Sequence, residues 1–483
     1  MKKMALILAG GVILLSATQW QEKLLTDDPQ HYYVLPSMVL DDEGYVHILY
    51  LEMFEDWEVD TVAFWLKVSS NETGRWISKE ITRLSESFYW NLDLEMQIPY
   101  SIDVDSKGNT YVAYFDFVGE EETRLFFATD SGGEFIVDTL IENDNWQVFP
   151  MLEIDNQDNV KLVYIEAVMV DEEPAEINLC YGRFDGGFFY TEDIWELGVD
   201  FEGYPMDMAL GLSGFPNVFY TNEDYKLSRV YRGSSGWQSE GLTKTTEGYM
   251  PSACLGPGGD LYLTYITDVE VADIFFMREE GSVWQGELVA DSVDFDWYLS
   301  SSLSFNPDGI PYLVWSSADE DWYYDIHMAA RCDTGWVLEQ VTTTPIADEL
   351  FGTGHCFTID SAGYGHMTYM CIGDYSETAQ LMYAKTTEPL EPEEVIAENH
   401  IQPNPVGLSV RNGHVHFSLP GAGRVSIDAF DACGRRVKHV LSGFYDAGEH
   451  QSPLELSGIP NGVYFIRLQT EEHSARAKFV ISR

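Results

Sequence analysis

Residues Pro99–Phe115 read Pro-Tyr-Ser-Ile-Asp-Val-Asp-Ser-Lys-Gly-Asn-Thr-Tyr-Val-Ala-Tyr-Phe. Apolar and polar residues alternate up to Asp105, the stretch Asp105–Gly108 turns, and a second alternating run ends in aromatics. Period two on both arms of an Asp-x-x-Gly turn predicts a β-hairpin. Asp suits the first position of a type I turn, and Gly supplies the positive φ that closes it.

The same unit returns at Pro36–Tyr50, Pro99–Tyr114, Pro150–Tyr164, Pro205–Tyr220, Pro251–Tyr265, Leu299–Trp315 and His355–Tyr369. Its turns begin at Asp41, Asp105, Asp155, Gly211, Gly256, Asn306 and Asp360. The closing aromatics are spaced by roughly 45 to 64 residues, the period of a four-stranded propeller blade. A third apolar run follows each hairpin, then a Gly/aromatic-led fourth such as Gly236–Thr243 or Gly335–Thr342. The seventh repeat lacks its fourth run, and Trp20-Gln-Glu-Lys-Leu-Leu-Thr26 supplies the missing pattern ahead of the first. The expected fold is therefore all-β: a seven-bladed β-propeller over residues 18–386 whose N-terminal strand closes the last blade. Neither a Gly-His…Trp-Asp signature nor a kelch-like double glycine recurs in register.

Met1-Lys-Lys-Met, the apolar run Ala5–Leu15 and the small residues Ser16-Ala-Thr have the layout of a secretory signal peptide. It is assigned to residues 1–17, and no other segment of the mature chain is long enough to span a membrane. The formal charge of −53 over 483 residues excludes nucleic acid as a partner, because nucleic-acid binding needs a basic footprint. The charge is uneven. From Pro403 onward nine Lys/Arg face seven Asp/Glu, about +2, which leaves about −55 before it. The Pro/Glu-rich stretch 387–402 between them reads as a linker. Six scattered cysteines show no Cys-x-x-Cys spacing, so no metal site is identifiable. Cys356 and Cys371 face each other across the seventh hairpin and are read as buried free thiols, although export would permit a bond.

In a propeller the loops joining second to third strands, and fourth to the next first, emerge on one face. The first set is acidic here (52–60, 116–122, 166–176, 223–224, 268–273, 319–325, 374–377) and the second is aromatic. Aromatic planes beside carboxylates suit sugars, since rings stack on C–H faces and carboxylates accept hydroxyl hydrogens or hold Ca²⁺. Trp90, Trp146, Tyr249, Trp297 and Tyr298 are the candidate ligand-binding residues. Two other readings stand beside this one. The aromatics pack inter-blade seams while the acids only solvate an exported surface, or two of the carboxylates, with Asp294 and Asp296 as first candidates, cleave a glycoside. Ca²⁺ is the possible cofactor, but no Asp-x-[Asp/Asn]-x-[Asp/Asn]-Gly loop names a site for it. The runs Ala128–Phe135 and Cys332–Trp336 resemble sialidase Asp-box turns. Phe replaces Trp in the first and the spacing departs in the second, while an acidic face is the wrong field for a sialic acid. No Gly-x-Ser-x-Gly elbow and no His-Glu-x-x-His occurs. His414 and His416 lie two apart on a predicted strand and read as surface imidazoles.

Beyond residue 403 the pattern changes to Asn404-Pro-Val, Val415–Pro420, Gly423–Asp431, Gly434-Arg-Arg-Val437, Gly462–Leu468 and Lys478–Arg483. Short alternating strands over residues 403–483 predict a small β-sandwich. These motifs resemble the C-terminal sorting domain of type IX secretion cargo, with the immunoglobulin-like domain of flagellar hook-capping proteins a near second. Gly434, Arg435, Gly462, Tyr464 and Lys478 carry the match, and Cys433 departs from the aliphatic or polar residue usual there. The resemblance implies a bacterial protein that passes the type IX machinery to become secreted or surface-held. Its expected role is a binding module for an extracellular glycan or protein. A propeller glycoside hydrolase or a structural surface scaffold are the alternatives.

Overall fold

A computed structural model describes residues 18–391 and 408–481, apart from short internal segments, chiefly 57–60, 88–98, 295–300, 319–323, 343–346, 351–354, 374–377, 432–435 and 455–461. The expected signal peptide and most of the expected linker lie outside these residues. Two compact units divide at Pro392/Glu393.

The first unit contains seven antiparallel sheets among the described residues. The first sheet is His31–Leu40, Val46–Asp56, Thr61–Ser70 and Ile77–Leu84, and the second Tyr100–Val104, Thr110–Val118, Glu122–Thr129 and Ile136–Thr139. The third to sixth sheets repeat this order, with inner strands Trp146–Ile154, Asp207–Leu210, Tyr249–Leu255 and Ser302–Phe305. In the seventh, Trp20–Leu24 pairs with Ala379–Thr386 as the outermost strand, so the chain's beginning completes its last sheet. The inner edge of that sheet differs from the simple hairpin expected: it is in two pieces, Ala347–Leu350 and Phe357–Ile359, both paired with Gly365–Gly373.

Each hairpin turn has the predicted chemistry. The backbone N–H of the fourth residue donates to the carbonyl of the first at Asp41, Asp105, Asp155, Gly211, Gly256, Asn306 and Asp360, at 2.8–3.0 Å. The fourth position takes positive φ throughout, and where Asp158 stands in place of Gly it adopts φ 61°. A type I turn closed by a left-handed residue needs that conformation. The leading Asp caps the turn as well: Asp105 Oδ1 accepts N–H bonds from Lys107 and Asn109, both at 2.9 Å.

Alternation along each strand gives every sheet two apolar faces, and these meet in clusters between successive sheets. Leu49, Phe64 and Leu66 of the first sheet pack on Tyr114 and Phe115 of the second. The series continues through clusters shared by the second and third, third and fourth, fourth and fifth, and fifth and sixth sheets. Tyr312 and Val314 of the sixth then meet Met367 and Tyr369 of the seventh, and Leu381 and Tyr383 of the seventh meet Ile48 and Tyr50 of the first. The clusters run full circle. The core is a ring of seams around an axis, the architecture of a β-propeller.

In the C-terminal unit, Leu408–Arg411, His414–Leu419 and Gly448–Pro453 form one sheet, and Arg436–Tyr445, Gly423–Asp431, Gly462–Gln469 and Ser474–Ile481 the other. Phe417 and Val415 of the first pack on Ile427 and Ile466 of the second, which makes a β-sandwich. No helix among the described residues is long and apolar enough to cross a membrane.

Candidate functional site

The first strand of each sheet lines the axis, and its inner edge carries backbone groups that no partner strand satisfies. The sequence supplies caps. Asp103 accepts a 2.6 Å bond from the Ile154 N–H of the third sheet, Glu153 a 2.9 Å bond from Leu210 of the fourth, and Asp207 a 2.7 Å bond from Ala253 of the fifth. Serines do this elsewhere, as Ser101 to Leu152 and Ser304 to Ile359. The Met38 N–H donates to the His355 carbonyl at 2.7 Å, joining seventh sheet to first.

Three of these carboxylates converge with His355. Its Nε2 lies 3.3 Å from Asp207 Oδ1, a contact between the seventh and fourth sheets that reaches across the axis. The Asp207 charge is the main reason that the imidazole is raised to about 9, with Glu153 and Asp103 adding to it. Burial, then the neighbouring Asp103 charge, pushes Glu153 up to about 8, and burial alone lifts Asp103 to about 6. The surrounding carboxylates thus favour the protonated imidazole of His355, and burial favours the protonated carboxyl of Glu153. The histidine side chain is 45% exposed, so water or a ligand reaches it. The thiol of Cys254 is raised by burial and by Asp207 and Glu153, which keeps it protonated.

Near the other end of these strands the backbone is strained. Leu35, Phe149 and Met250 each precede a proline and adopt φ of 54°, 53° and 48°. Register shifts between strands fall at the same places. A bulky residue in the left-handed region before proline is doubly disfavoured, and each bulge re-aims the strand where it enters the axis. The Tyr100 hydroxyl donates to the Leu35 carbonyl that the bulge frees.

Of the sequence-predicted ligand residues, Trp146 is described and half-buried at the start of the third sheet's inner strand. Tyr249 is 6% exposed, belongs to the seam between fifth and sixth sheets, and donates to Glu247 at 2.9 Å. Its ring offers no open face for stacking; the seam-packing alternative describes it. Trp90, Trp297, Tyr298 and Asp296 lie outside the described residues. Asp294 ends a strand paired with Val271, and its side chain lies outside the description. Gly462, Tyr464 and Lys478 sit on paired strands of the C-terminal sandwich, while Gly434 and Arg435 are not described.

Several acids of the predicted ring are already engaged. Glu52 accepts from His31 Nδ1 at 2.6 Å and pairs with Lys67. Asp116 takes the Ser85 N–H at 3.1 Å and is raised by burial to about 6. Asp130, in the Asp-box-like run, caps the Thr110 N–H at 2.8 Å. Among the described residues the cysteines form no disulfide with one another, and Cys371 lies across its strand from Glu349. Sequence spacing names no metal site, yet the fold gathers Glu166, Cys180 and Asp193 with ligand atoms within 4.8 Å of one another. Burial and the Asp193 and Glu166 charges hold the Cys180 thiol high, and it donates to Asp193 at 3.4 Å. That proton would have to leave before a cation could take its place.

Residues 400–482 match the model of the secretion system C-terminal sorting domain. No curated protein matches the chain. Among solved structures it is similar to the β-propeller domain of the trilobed protease from Pyrococcus furiosus, at 10% identity over 78% of this chain and 100% of that one, TM-score 0.45. A protein of unknown function from Dyadobacter fermentans matches at 9% identity over 77% and 99%, TM-score 0.44. PorZ, a surface component of the type IX secretion system of Porphyromonas gingivalis, matches at 10% over 93% and 70%, TM-score 0.33. The chain is a β-propeller protein with a type IX sorting domain at its C-terminus, exported to the bacterial cell surface or beyond.

Proposed function

We propose that the exported propeller is a binding module for an extracellular glycan, or another hydroxyl-rich ligand, that reaches the axial cluster. One observation carries this reading: side chains from four different sheets bring the His355 imidazole together with the carboxyl groups of Asp103, Glu153 and Asp207 at the axis, with His355 45% exposed. Such a set donates to and accepts from the same polyhydroxylated ligand. Trp146, which begins the inner strand whose last residues include Glu153, would meet the same ligand further along the axis, toward the loop face.

The test is substitution at both levels. His355→Ala removes the imidazole but not the backbone carbonyl that holds Met38, and Trp146→Ala removes a ring at the edge of a sheet. Each is expected to weaken ligand binding at least tenfold in a calorimetric titration, with the β-sheet circular dichroism unchanged. Unaltered affinity in both would overturn the reading. A glycoside hydrolase is the second reading, and Glu153 favours it. A carboxyl that keeps its proton at neutral pH is the form a general acid needs. Under it, Glu153→Gln abolishes turnover of the bound glycan and leaves its binding in place.

A further inference from the structure

The strand Trp20–Leu24 completes the seventh sheet, and its N-terminal side is anchored at an unexpected point. Thr18 N lies 2.7 Å from Glu339 Oε1, and Thr18 Oγ1 lies 2.9 Å from Glu339 Oε2. Both oxygens of one carboxylate therefore serve a single residue. Glu339 belongs to Gly335–Gln340, the outer strand of the sixth sheet, so this contact bridges the outer rims of the sixth and seventh sheets. The position of Thr18 is fixed from its C-terminal side, where the Gln19 carbonyl accepts the Thr387 N–H at 2.8 Å and Trp20 pairs with Thr386.

The sequence just before Thr18 is the end of the expected leader: apolar through Leu15, then Ser16 and Ala17. We propose that the chain is cut between Ala17 and Thr18, and that the new α-ammonium is received by Glu339 as the latch that fastens the closing strand. Water is the co-reactant and a leader endopeptidase of the exporting membrane the catalyst. The Ala17–Thr18 C–N bond breaks, the carbonyl carbon keeps the hydroxyl as a carboxylate, and the nitrogen takes up protons. An amide with one N–H then becomes a cation with three donors opposite a carboxylate that is already in place. A charge-assisted bond of this kind is about twice as strong as its neutral counterpart. Only a chain that starts at Thr18 places its amino group on Glu339. A start one residue earlier or later would move the amino group by roughly 3.3 Å along the strand, out of reach of Glu339.

This inference rests on the export reading of the chain, and the test separates the two. The full chain is recovered from the medium or surface of secreting cells, and its N-terminus is read by intact mass and terminal sequencing. Thr18 is the expected first residue. A chain that keeps residues 1–17 would contradict the leader itself, and one starting elsewhere would contradict the latch. Thermal unfolding is then compared for the Thr18 chain, its α-acetylated form, Glu339→Gln, and both changes together. Each single change is expected to lower the melting temperature, and the pair to lower it no further than the larger single effect. The difference between free and acetylated chains is expected to vanish as pH rises through the α-amine range near ~8. Independent, additive effects, or no effect of acetylation, would overturn the proposal.

Discussion

Protonation of single residues couples the axis to pH. Asp103, Glu153 and His355 hold their protons more tightly in the folded protein, with values raised from 3.8 to about 6, 4.5 to about 8 and 6.5 to about 9. The folded chain therefore binds more protons than the unfolded one, and stability falls as pH rises. The two carboxyls lose their contribution between about pH 4 and 8, and His355 loses its own between 6.5 and about 9. His355 is 45% exposed, so solvent screens these effects and we expect a combined loss of about 1–2 kcal/mol. On heating, the melting temperature should drop by on the order of 1–3 °C between pH 6 and 9. Glu153→Gln keeps the acceptor for Leu210 and should flatten that slope. A wild-type slope of the opposite sign would show that these groups are not held as described.

The turn aspartates act in the opposite sense. Asp105 is lowered by its bonds from Asn109, Lys107 and Tyr111, and Asp155 and Asp360 are lowered by similar sets. Their stabilisation is present above the ordinary carboxylate value and is lost as pH falls through their folded values. Asp105→Ala leaves two turn N–H groups uncapped and should cost about 1–2 kcal/mol in denaturant unfolding. The turn at Gly211 has no such side chain, so Gly211→Ala tests a site without that cap.

At the scale of elements, Trp20–Leu24 matters most. It covers Ala379–Thr386, which would otherwise be an open sheet edge. Deleting residues 18–24 should expose that edge and convert a well-behaved chain into dimers or larger aggregates in light scattering. A monomeric deletion of unchanged stability would contradict the closure. This element was legible in the sequence, because Trp20 followed by Leu25-Thr26 repeats the spacing of Trp237 and Leu242-Thr243 in an outer strand, and the seventh repeat lacked one. The hairpins were legible for the same reason, since turn chemistry and period two are local signals. The interrupted inner edge of the seventh sheet was not. His355 enters it without the proline that marks the first to fifth repeats.

For the whole molecule, ring closure decides what sequence can reveal. Asp103, Glu153, Asp207 and His355 are separated along the chain by whole repeats and meet only because the sheets circle one axis. A trace was present: Asp103 and Glu153 stand two residues before their turns, where Val39, Ala209 and Cys254 occupy the equivalent places. Loop composition pointed instead to the rim, where Glu52 and Asp116 prove to be tied into local hydrogen bonds and Tyr249 into a seam. Sorting motifs, being local, were legible, and export follows from them. The net charge of −53 also acts on the whole molecule. Self-repulsion at this density should be relieved by salt, so melting should rise between ~10 mM and ~150 mM NaCl as the Debye length shrinks from roughly 30 to 8 Å.

A glycan-array screen tests the central claim most directly, using the full mature chain and its His355→Ala variant side by side at neutral pH, with calcium and with chelator. The account predicts specific hits for the wild-type chain that disappear in the variant, and calcium dependence would place carboxylates at the contact. A blank array for the wild-type chain in both buffers, or hits that His355→Ala leaves untouched, would contradict an axial glycan site.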